Sequence, residues 1–301
     1  MRIFLCFLTL SLLVICVIQT SYAQTQSCRC VAFRLDDVQD FHLNNAQIAV
    51  MGLFEKKNAS LTLGIIGNHI GNDPRLVNHL KEVMNHGITN NSHIEIASHG
   101  WNHEDFRQFS KDEQSALMEQ SIKKISTVLG VVPRTFIPPF DTFNNDTLDA
   151  AQRNGIHYFS ASGQNDPPPY DFQNVTVYHF PETAATGDIY SNGSNWFSYP
   201  HQQILDDVLA SLDNQGFAVV VAHPQDHSIR KGEDIANKVD WQQIKEDDLL
   251  IDQIRNMGLK IVTIGEIKHN MSEVGNNSTN NSTNSNFLPY EKGLKIVTIG
   301  I

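Results

Sequence analysis

The sequence predicts a single α/β domain in which parallel strands alternate with helices that cover them. Short apolar runs alternate with longer amphipathic stretches from residue 24 to residue 269, and glycines end most of the amphipathic stretches. A chain of this length can bury a substantial core. Strict alternation favours parallel strands with outer helices, and it leaves two architectures open, a barrel and a doubly wound sheet.

Each predicted strand is a short apolar run, and each predicted helix carries apolar residues at helical spacing. The strands are expected at residues 30–35, 61–66, 94–98, 135–140, 157–162, 218–223 and 260–267. The helices are expected at residues 44–58, 73–87, 111–130, 145–155, 202–216 and 246–258. A glycine ends five of these helices, as is typical of C-cap positions that need a positive φ. These glycines are Gly87, Gly130, Gly155, Gly216 and Gly258.

Residues 1–23 are predicted to be a secretory signal peptide. Arg2 supplies the early positive charge, an apolar run follows, and Ala23 completes a small-residue cleavage pattern. The apolar run is shorter than the roughly 20 residues that a membrane helix needs. We therefore expect a secreted, extracellular protein with no membrane span after cleavage. An uncleaved membrane anchor is the alternative.

The composition is acidic and argues against nucleic acid as a partner. The chain has 22 Lys and Arg against 33 Asp and Glu, a net charge of −11, and cleavage would remove Arg2 as well. Phosphate backbones and anionic membranes would be repelled. Glycosylation sequons predict a glycoprotein if the host is eukaryotic. They include Asn58, Asn90, Asn145, Asn174 and Asn192.

Cys28 and Cys30 are the two cysteines that remain after cleavage. In an extended strand, side chains two residues apart point the same way but lie too far apart for an unstrained bridge. We therefore expect no disulfide framework, and a lone Cys-X-Cys pair is also weak evidence for a metal site.

Residues 270–301 are predicted to be a tail outside the domain. Its Asn/Ser/Thr-rich segment cannot bury a core, which favours disorder. The segment "GLKIVTIG" at 293–300 repeats residues 258–265 letter for letter. If the first copy is the last strand, the second could dangle, compete for the same edge or exchange into another molecule. A recent duplication or a gene-model artefact is equally compatible.

Residues 95–105, "EIASHGWNHED", place His99 and His103 four residues apart after an apolar run. On a helix this spacing puts both imidazoles on one face, where two nitrogen atoms can bind one metal ion. Two surface or capping histidines are the alternative for an isolated pair.

Four predicted strands end in candidate functional residues. In a parallel barrel, the C-terminal ends of the strands all lie at the same end of the barrel. The first strand ends in Asp36 and Asp37, and the third ends in His99. The fourth runs into residues 138–140, and the strand of "AVVVAH" ends in His223. Singly, each could be a helix cap or a satisfied core residue, but their convergence favours a functional site.

These motifs resemble those of the polysaccharide deacetylase family, the NodB-homology domain of carbohydrate esterase family 4. The matching segments are "FRLDDVQ", "SHGWNH", "FIPPFD" and "VVVAHPQD", and the resemblance spans Val31 to Ile267. It implies a distorted (β/α) barrel of the NodB type.

The resemblance also implies a metal-dependent hydrolase. Asp37, His99 and His103 would bind a divalent ion, with Zn²⁺ expected and Co²⁺ as the alternative. Two imidazoles and one carboxylate leave coordination positions open for water and substrate. Asp36 would be the general base and His223 the general acid. Residues implied in substrate or oxyanion contacts are Pro139, Phe140 and Val221.

The chain departs from the family pattern in the loop after the fourth strand. Ile137 stands where the family has an arginine that tethers the base, and Asp141 stands where it has a glycine. Arg134 lies on the opposite strand face and is a poor substitute. The aspartate that orients the acid histidine is also unclear, with Asp166 and Asp226 as candidates.

The sequence therefore predicts a secreted, metal-dependent deacetylase acting on N-acetylated polysaccharide, such as chitin or peptidoglycan. Hydrolysis of O-acetyl groups is a second possibility for the same site. The alternative is a catalytically impaired glycan-binding protein that keeps the barrel, a reading that Ile137 sustains. A zinc-peptidase HExxH motif is excluded because Gly100 follows His99, and no G-x-S-x-G motif supports a serine hydrolase. The oligomeric state is not predicted.

Overall fold

The computed structural model describes residues 27–278, except residues 91–92, 169, 171–174, 190–195 and 232–233. Nine of the strands in this part form one sheet, and all their pairings are parallel. The sheet curls into a half-barrel with helices packed around it. The predicted signal peptide and the second "GLKIVTIG" copy lie outside the described residues.

The helices and strands alternate along the chain as the sequence predicts. The helices are α1 (Asn44–Lys57), α2 (Pro74–Asn90), α3 (Lys111–Leu129), α4 (Asn145–Arg153), α5 (His201–Gln215), α6 (Trp241–Asn256) and α7 (Ile264–Ser278). The sheet contains β1 (Cys30–Val38), β2 (Leu61–Ile65), β3 (Ile94–Ser98), β4 (Thr135–Phe136), β5 (Tyr158–Phe159), β6 (Tyr178–His179), β7 (Ala184–Ala185), β10 (Phe217–Ala222) and β13 (Lys260–Val262). Two antiparallel hairpins lie apart from it, β8 (Gly187–Ile189) with β9 (Trp196–Ser198) and β11 (Ser228–Lys231) with β12 (Asp234–Val239).

Strand β1 lies at the centre of the fold and determines which side chains enter the barrel. The strand order is β6-β5-β4-β3-β2-β1-β10-β7, and β13 pairs with the first three residues of β1. Residues 31, 33 and 35 belong to the core cluster that includes the apolar faces of α1, α2 and α6. Cys30 and Ala32 belong to the cluster with Phe180, Phe217 and Ile264. Since strand side chains alternate, residues 34 and 36 continue this second, interior face.

The predicted fold class, a distorted (β/α) barrel in one domain, is confirmed. Four of the five predicted C-cap glycines have positive φ, but α2 runs past Gly87 to Asn90. Helix α6 begins five residues before the predicted start. The reason is that the Asp240 side chain caps it, accepting from the backbone N–H groups of Gln242 and Gln243.

Two predicted strands are shorter than expected. Strand β4 ends at Phe136, since Pro138 and Pro139 just beyond have no N–H to donate to a ladder. The predicted strand 260–267 ends at Val262, and α7 begins at Ile264. Here Thr263 precedes the helix, and its backbone N–H donates to the Glu266 carboxylate, so the second half of the motif is a helix start. The predicted domain boundary after residue 269 therefore falls inside α7.

Cys28 and Cys30 form a disulfide, although the extended geometry assumed from the sequence argued against an unstrained bridge. Their Cα atoms lie 5.1 Å apart, within the normal range for a disulfide. The reason is Arg29, whose φ of 45° bends the chain between them and removes the extended geometry that the prediction assumed. Within the described part of the chain, no helix combines the length and the apolar character needed to cross a bilayer.

Candidate active site

A cavity of about 310 Å³ opens where β1, β3 and β10 end. It collects side chains from motifs that are far apart in the sequence. The lining residues that the sequence singled out are Asp36, Asp37, His99, His103, Phe140, Val221 and His223. The assignment of roles to them remains a prediction, but the structure brings them to one place.

Asp37 reaches the cavity because β1 is irregular at its end. The pairing of β1 with β2 shifts register between Leu35 and Val38, and Asp37 has a φ of 58°. The left-handed residue turns this carboxylate towards the histidines. Its Oδ1 lies 3.3 Å from His103 Nε2 and 3.6 Å from His99 Nε2.

The two histidines lie in a loop, so the expected helical presentation is wrong. Gly100 and His103 have φ values of 75° and 61°, which fold the segment back so that the two rings meet, with centroids 4.9 Å apart. The Gly100 carbonyl accepts from the Gly67 N–H at 3.0 Å and from Ser121 Oγ at 2.8 Å. These bonds to the barrel body hold the loop in place.

The three side chains suit a divalent metal ion. One ligand atom from each of Asp37, His99 and His103 lies within 4.8 Å of the others. His99 Nδ1 lies 2.9 Å from the Ile137 carbonyl, and donation of a proton there leaves the Nε2 lone pair free. This is the tautomer that a metal ligand needs.

The pKa values of Asp37 and His103 also fit this role. Burial disfavours the Asp37 carboxylate, but the hydrogen bond and charge of His99 outweigh this and hold its pKa well below its usual range. Burial and the neighbouring His99 lower the pKa of His103 to about 4, so it is neutral at pH 7. For His99, burial is opposed by Asp37 and Asp36, and its pKa is raised.

Asp36 lies beside these ligands and is almost fully buried. Its Oδ1 has no hydrogen-bond partner within the described residues, while its Oδ2 lies 3.1 Å from Arg34 Nη2. The carboxylate fits because residue 64 is glycine: a Cβ there would lie 3.0 Å from Asp36 Oδ1. A carboxylate oxygen without a hydrogen-bond partner is able to accept a proton.

Arg34 is a site residue that the sequence analysis missed. Its Nη2 contacts Asp36, Asp141 Oδ1 at 2.9 Å and Glu182 Oε2 at 2.9 Å, and its Nη1 donates to Ser160. Burial raises the pKa of Glu182 to about 8, against the opposing effect of Arg34. An arginine inside the apolar run "CVAFRL", two residues before Asp36, was the available signal, because buried charges need partners.

The loop after β4 only partly matches its predicted contacts. Phe140 is 60% exposed, has a φ of 58°, and its ring lies 4.5 Å from that of His103. Pro139 is buried against Gly100, and Pro138 lines the cavity in its place. The reason is the turn at Phe140, which directs the second proline away from the mouth. Val221 lines the opposite wall as expected.

Of the two aspartates proposed to orient His223, Asp226 contacts it and Asp166 does not. The His223 backbone N–H donates to Asp226 Oδ2 at 2.9 Å, and its Nδ1 lies 3.9 Å from that oxygen. Asp166 instead pairs with His179 Nδ1 at 2.8 Å, so the structure favours Asp226 for this role. Trp196 from β9 packs on the His223 ring, with centroids 5.0 Å apart, and covers this side of the cavity.

Gln225 is a second residue that the sequence analysis missed. Its Nε2 donates to Asp37 Oδ2 at 3.1 Å, which links the loop after β10 to the candidate metal ligand. The signal was its position in "HPQD", between two residues already singled out.

A groove of about 710 Å³ continues from the cavity along β7 and α5. The two share the walls formed by Phe140, Asp141, Glu182 and Asp188. None of the described residues that line the groove is basic, and Asp207 adds a further acid. The combined cleft is open, polar and negatively charged.

The curled parallel sheet with helices around it matches the NodB (β/α) barrel fold. The polysaccharide deacetylase family model matches residues 23–159, which include the motifs of β1 and β3. The predicted resemblance to this family is thus confirmed over residues 23–159. No curated protein is similar enough to count as a match.

Several solved structures share the fold at low sequence identity. A Mycobacterium smegmatis protein assigned as a polysaccharide deacetylase has a TM-score of 0.58 and 15% identity, with 87% of this chain and 94% of that chain covered. A family 4 acetyl xylan esterase from Clostridium thermocellum, in complex with cobalt, has a TM-score of 0.53 and 16% identity, covering 79% and 89%. The Bc1960 peptidoglycan N-acetylglucosamine deacetylase has a TM-score of 0.52 and 17% identity, covering 79% and 87%.

Proposed function

We propose that this chain is a metal-dependent hydrolase that releases acetate from an acetylated polysaccharide. The observation that carries the proposal is the convergence of three metal-type ligands with a buried carboxylate, Asp36, at one cavity. Metal ligands alone are compatible with a structural site, but an adjacent carboxylate with an unengaged oxygen is what hydrolysis needs.

Asp37, His99 and His103 would hold the ion, with Zn²⁺ proposed and Co²⁺ as a substitute. A divalent ion bound there would supply Lewis acidity and lower the pKa of a water molecule. The chain's own contribution is to fix the ligands: Gln225 holds the free oxygen of Asp37, and the Ile137 carbonyl fixes the tautomer of His99.

Asp36 and His223 lie on different walls of the cavity and would take opposite roles. Asp36 Oδ1 would accept the proton of the attacking water. His223 would carry a proton on Nε2 and deliver it to the departing amine or hydroxyl, while Asp226 holds the residue through its backbone N–H. The main-chain N–H of Phe140 would contact the oxyanion. Val221 would pack against the acetyl methyl group.

The charge of the cleft supports a neutral glycan. Acidic side chains line both the cavity and the groove, and the described residues add no lysine or arginine to the groove. A uronic-acid polymer would be repelled there, whereas an N-acetylglucosamine polymer or an acetylated xylan would not. The site can serve amide and ester bonds alike, and we favour the N-acetyl substrate.

Acetate release tests this function. Purified protein with added Zn²⁺ or Co²⁺ is incubated with N-acetylglucosamine oligomers and, separately, with acetylated xylan. We expect acetate from the wild type and about 10²- to 10⁴-fold less from Asp36→Asn, the range typical of general base removal. Chelation should abolish release in the wild type. Equal acetate from both proteins would contradict the assignment of Asp36.

Glycan binding without hydrolysis is the remaining alternative. Ile137 sustains it, because the family loop arginine is missing there. Calorimetry would measure the binding of N-acetylglucosamine oligomers. If the oligomers bind but acetate release does not exceed that of Asp36→Asn, the protein binds glycans without hydrolysing them, and the hydrolase proposal is refuted.

We also propose that the protein is secreted and glycosylated. The support is the leader-like sequence of residues 1–23 and the exposure of two sequon asparagines, Asn58 and Asn145. Expression with the native leader in eukaryotic cells should give medium protein that begins at Gln24 and shrinks on treatment with an N-glycosidase. Retention of residues 1–23 on a membrane fraction would favour the uncleaved anchor.

A further inference from the structure

We propose that Arg34 positions the proposed base, Asp36. From β1, Arg34 would take the place of the arginine that the family carries in the loop after β4, where this chain has Ile137. This inference rests on the proposed function and names a positioning residue for it. Arg34 would then compensate for the two departures from the family pattern in the loop after β4, at positions 137 and 141. A guanidinium would still contact the base, but it would come from β1 and not from the loop after β4.

The first argument is the geometry of Arg34 itself. Its side chain is 1% exposed, and its Nη2 lies 3.1 Å from Asp36 Oδ2. The other end of the guanidinium is fixed, since Nη1 donates to the Ser160 carbonyl at 2.6 Å and to Ser160 Oγ at 3.0 Å. A planar fork held at one end directs the other end to a defined point. It thereby orients Oδ2 and leaves Oδ1 of Asp36 for the proton.

The second argument is that positions 34 and 137 approach the same carboxylate. Arg34 and Asp36 are two residues apart on β1, so both point into the barrel. Ile137 lies across from them: a Cβ at Gly64 would be 3.3 Å from Ile137 Cδ1 and 3.0 Å from Asp36 Oδ1. With Arg34 already beside Asp36, position 137 holds a fully buried aliphatic side chain instead of a second cation.

The third argument is Asp141, which stands where the family has glycine. Its φ of 54° explains the family preference, because this conformation disfavours other residues. Here the strained aspartate makes a specific contact, since its Oδ1 accepts from Arg34 Nη2 at 2.9 Å. Arg134, by contrast, donates to the Gly155 carbonyl at 2.8 Å and takes no part in this cluster.

A relocation experiment tests the inference. Four proteins are compared: wild type, Arg34→Thr, Arg34→Lys, and the triple variant Arg34→Thr/Ile137→Arg/Asp141→Gly that moves the guanidinium to the loop. We expect Arg34→Thr to lower kcat about 10- to 100-fold, with KM within about threefold and Zn²⁺ affinity unchanged. The triple variant should recover most of kcat. Arg34→Lys should show an intermediate loss, since lysine lacks the fork.

Glu95→Gln is the matched control for a purely structural effect. Glu95 is half-buried at the opposite end of the strands, where it accepts from Thr62 Oγ1 at 2.9 Å and from the Gly265 N–H at 3.0 Å. Its loss should lower the free energy of unfolding without changing kcat. If Arg34→Thr fails to fold, Arg34→Lys is measured in the Asp36→Asn background. A further loss of kcat there would refute action through Asp36.

The inference and the proposed function fail in different ways. If wild-type protein releases no acetate, the function is refuted, and crystal structures then decide the inference. The Asp36 carboxylate should keep its orientation in the wild type and the triple variant, and turn away in Arg34→Thr or Arg34→Lys. An unmoved carboxylate, or a kcat of Arg34→Thr within about threefold of an active wild type, would overturn the role of Arg34.

Discussion

Four residues other than glycine around the cavity have left-handed backbone conformations. Their φ values are 58° for Asp37, 61° for His103, 58° for Phe140 and 54° for Asp141. Each costs on the order of 1 kcal/mol relative to an ordinary conformation. Each also turns its side chain towards the cavity or the Arg34 cluster. The strain is concentrated where functional side chains must leave regular strands and loops.

Replacing His103, one of these residues, should weaken metal binding without harming the fold. We expect His103→Ala to weaken Zn²⁺ binding by more than about 100-fold, since a direct ligand is lost and outer-shell partners alone are worth about 10- to 100-fold. The free energy of unfolding of the metal-free protein should change little, because a partly exposed, strained residue is being truncated. Calorimetric titration measures both the stoichiometry and the affinity.

His93→Ala is the matched control for this variant. His93 is exposed and pairs with Glu266 at the opposite end of β3. Its removal should leave the Zn²⁺ affinity within about twofold. Equal weakening in both variants would show that the ion binds elsewhere.

The sequence predicted the identity of most cavity residues at this scale, but not their contacts. Asp36, Asp37, His99, His103 and His223 were recognisable because each follows an apolar run inside a known motif. The Arg34 cluster was not, since it depends on which face of β1 points into the barrel. Asp226 could not be chosen over Asp166, because that choice depends on the turn after β10.

At the scale of elements, the loop after β10 is fastened to α6 by a buried ion pair. His227 Nε2 lies 2.6 Å from Asp247 Oδ2, and both residues are almost fully buried. His227 Nδ1 lies 3.0 Å from the carbonyl of His223, the proposed acid. Burial disfavours the charged imidazole, but Asp247 outweighs this and raises the pKa of His227 to about 9.

This pair predicts a specific dependence of stability on pH. The pKa of His227 is about 9 in the folded protein and about 6.5 when unfolded. Its contribution should therefore be complete below about pH 6.5 and lost as the pH rises towards 9. Urea unfolding of wild type and Asp247→Asn at pH 6, 7.5 and 9 measures this contribution. We expect the wild type to have a free energy of unfolding about 3 kcal/mol higher at pH 6, and the difference should shrink as the pH rises to 9. A difference that stays constant across this range would refute the assignment.

Element boundaries were predictable where local chemistry alone decides them. The alternation of strands and helices followed from apolar spacing. The start of α7 was missed because "KIVTIGEI" also reads as a strand, and the Thr263–Glu266 contact decides between the two. The disulfide was missed because the left-handed conformation of Arg29 leaves no trace in the sequence.

At the scale of the whole molecule, the site depends on one parallel sheet that brings distant segments to one end. Of the metal-type ligands, Asp37 lies at the end of β1 and the two histidines follow β3, while the proposed acid follows β10. The alternating pattern predicted such a sheet but could not distinguish a barrel from a doubly wound arrangement. The motif resemblance favoured the barrel. In the structure β1 pairs with β10 and β13, which lie far from it in the sequence.

Since the ligands come from separate parts of the barrel, a bound ion should stabilise the whole fold. At a free Zn²⁺ concentration about 100-fold above Kd, binding to the folded state alone contributes about 2.7 kcal/mol. For a domain of this size that corresponds to a rise in Tm of about 5–10 °C. Scanning calorimetry of wild type and Asp37→Ala, with Zn²⁺ and with a chelator, measures the effect. A similar rise in Asp37→Ala would show binding outside this site.

Diffraction at the zinc absorption edge from crystals of the Zn²⁺-loaded protein tests the central claim most directly. The account predicts one strong anomalous peak at about 2.0–2.2 Å from a carboxylate oxygen of Asp37 and from Nε2 of both His99 and His103. Asp36 should lie next to the ion without binding it. A peak bound by other residues, or no peak in this cavity at saturating Zn²⁺, would contradict the account.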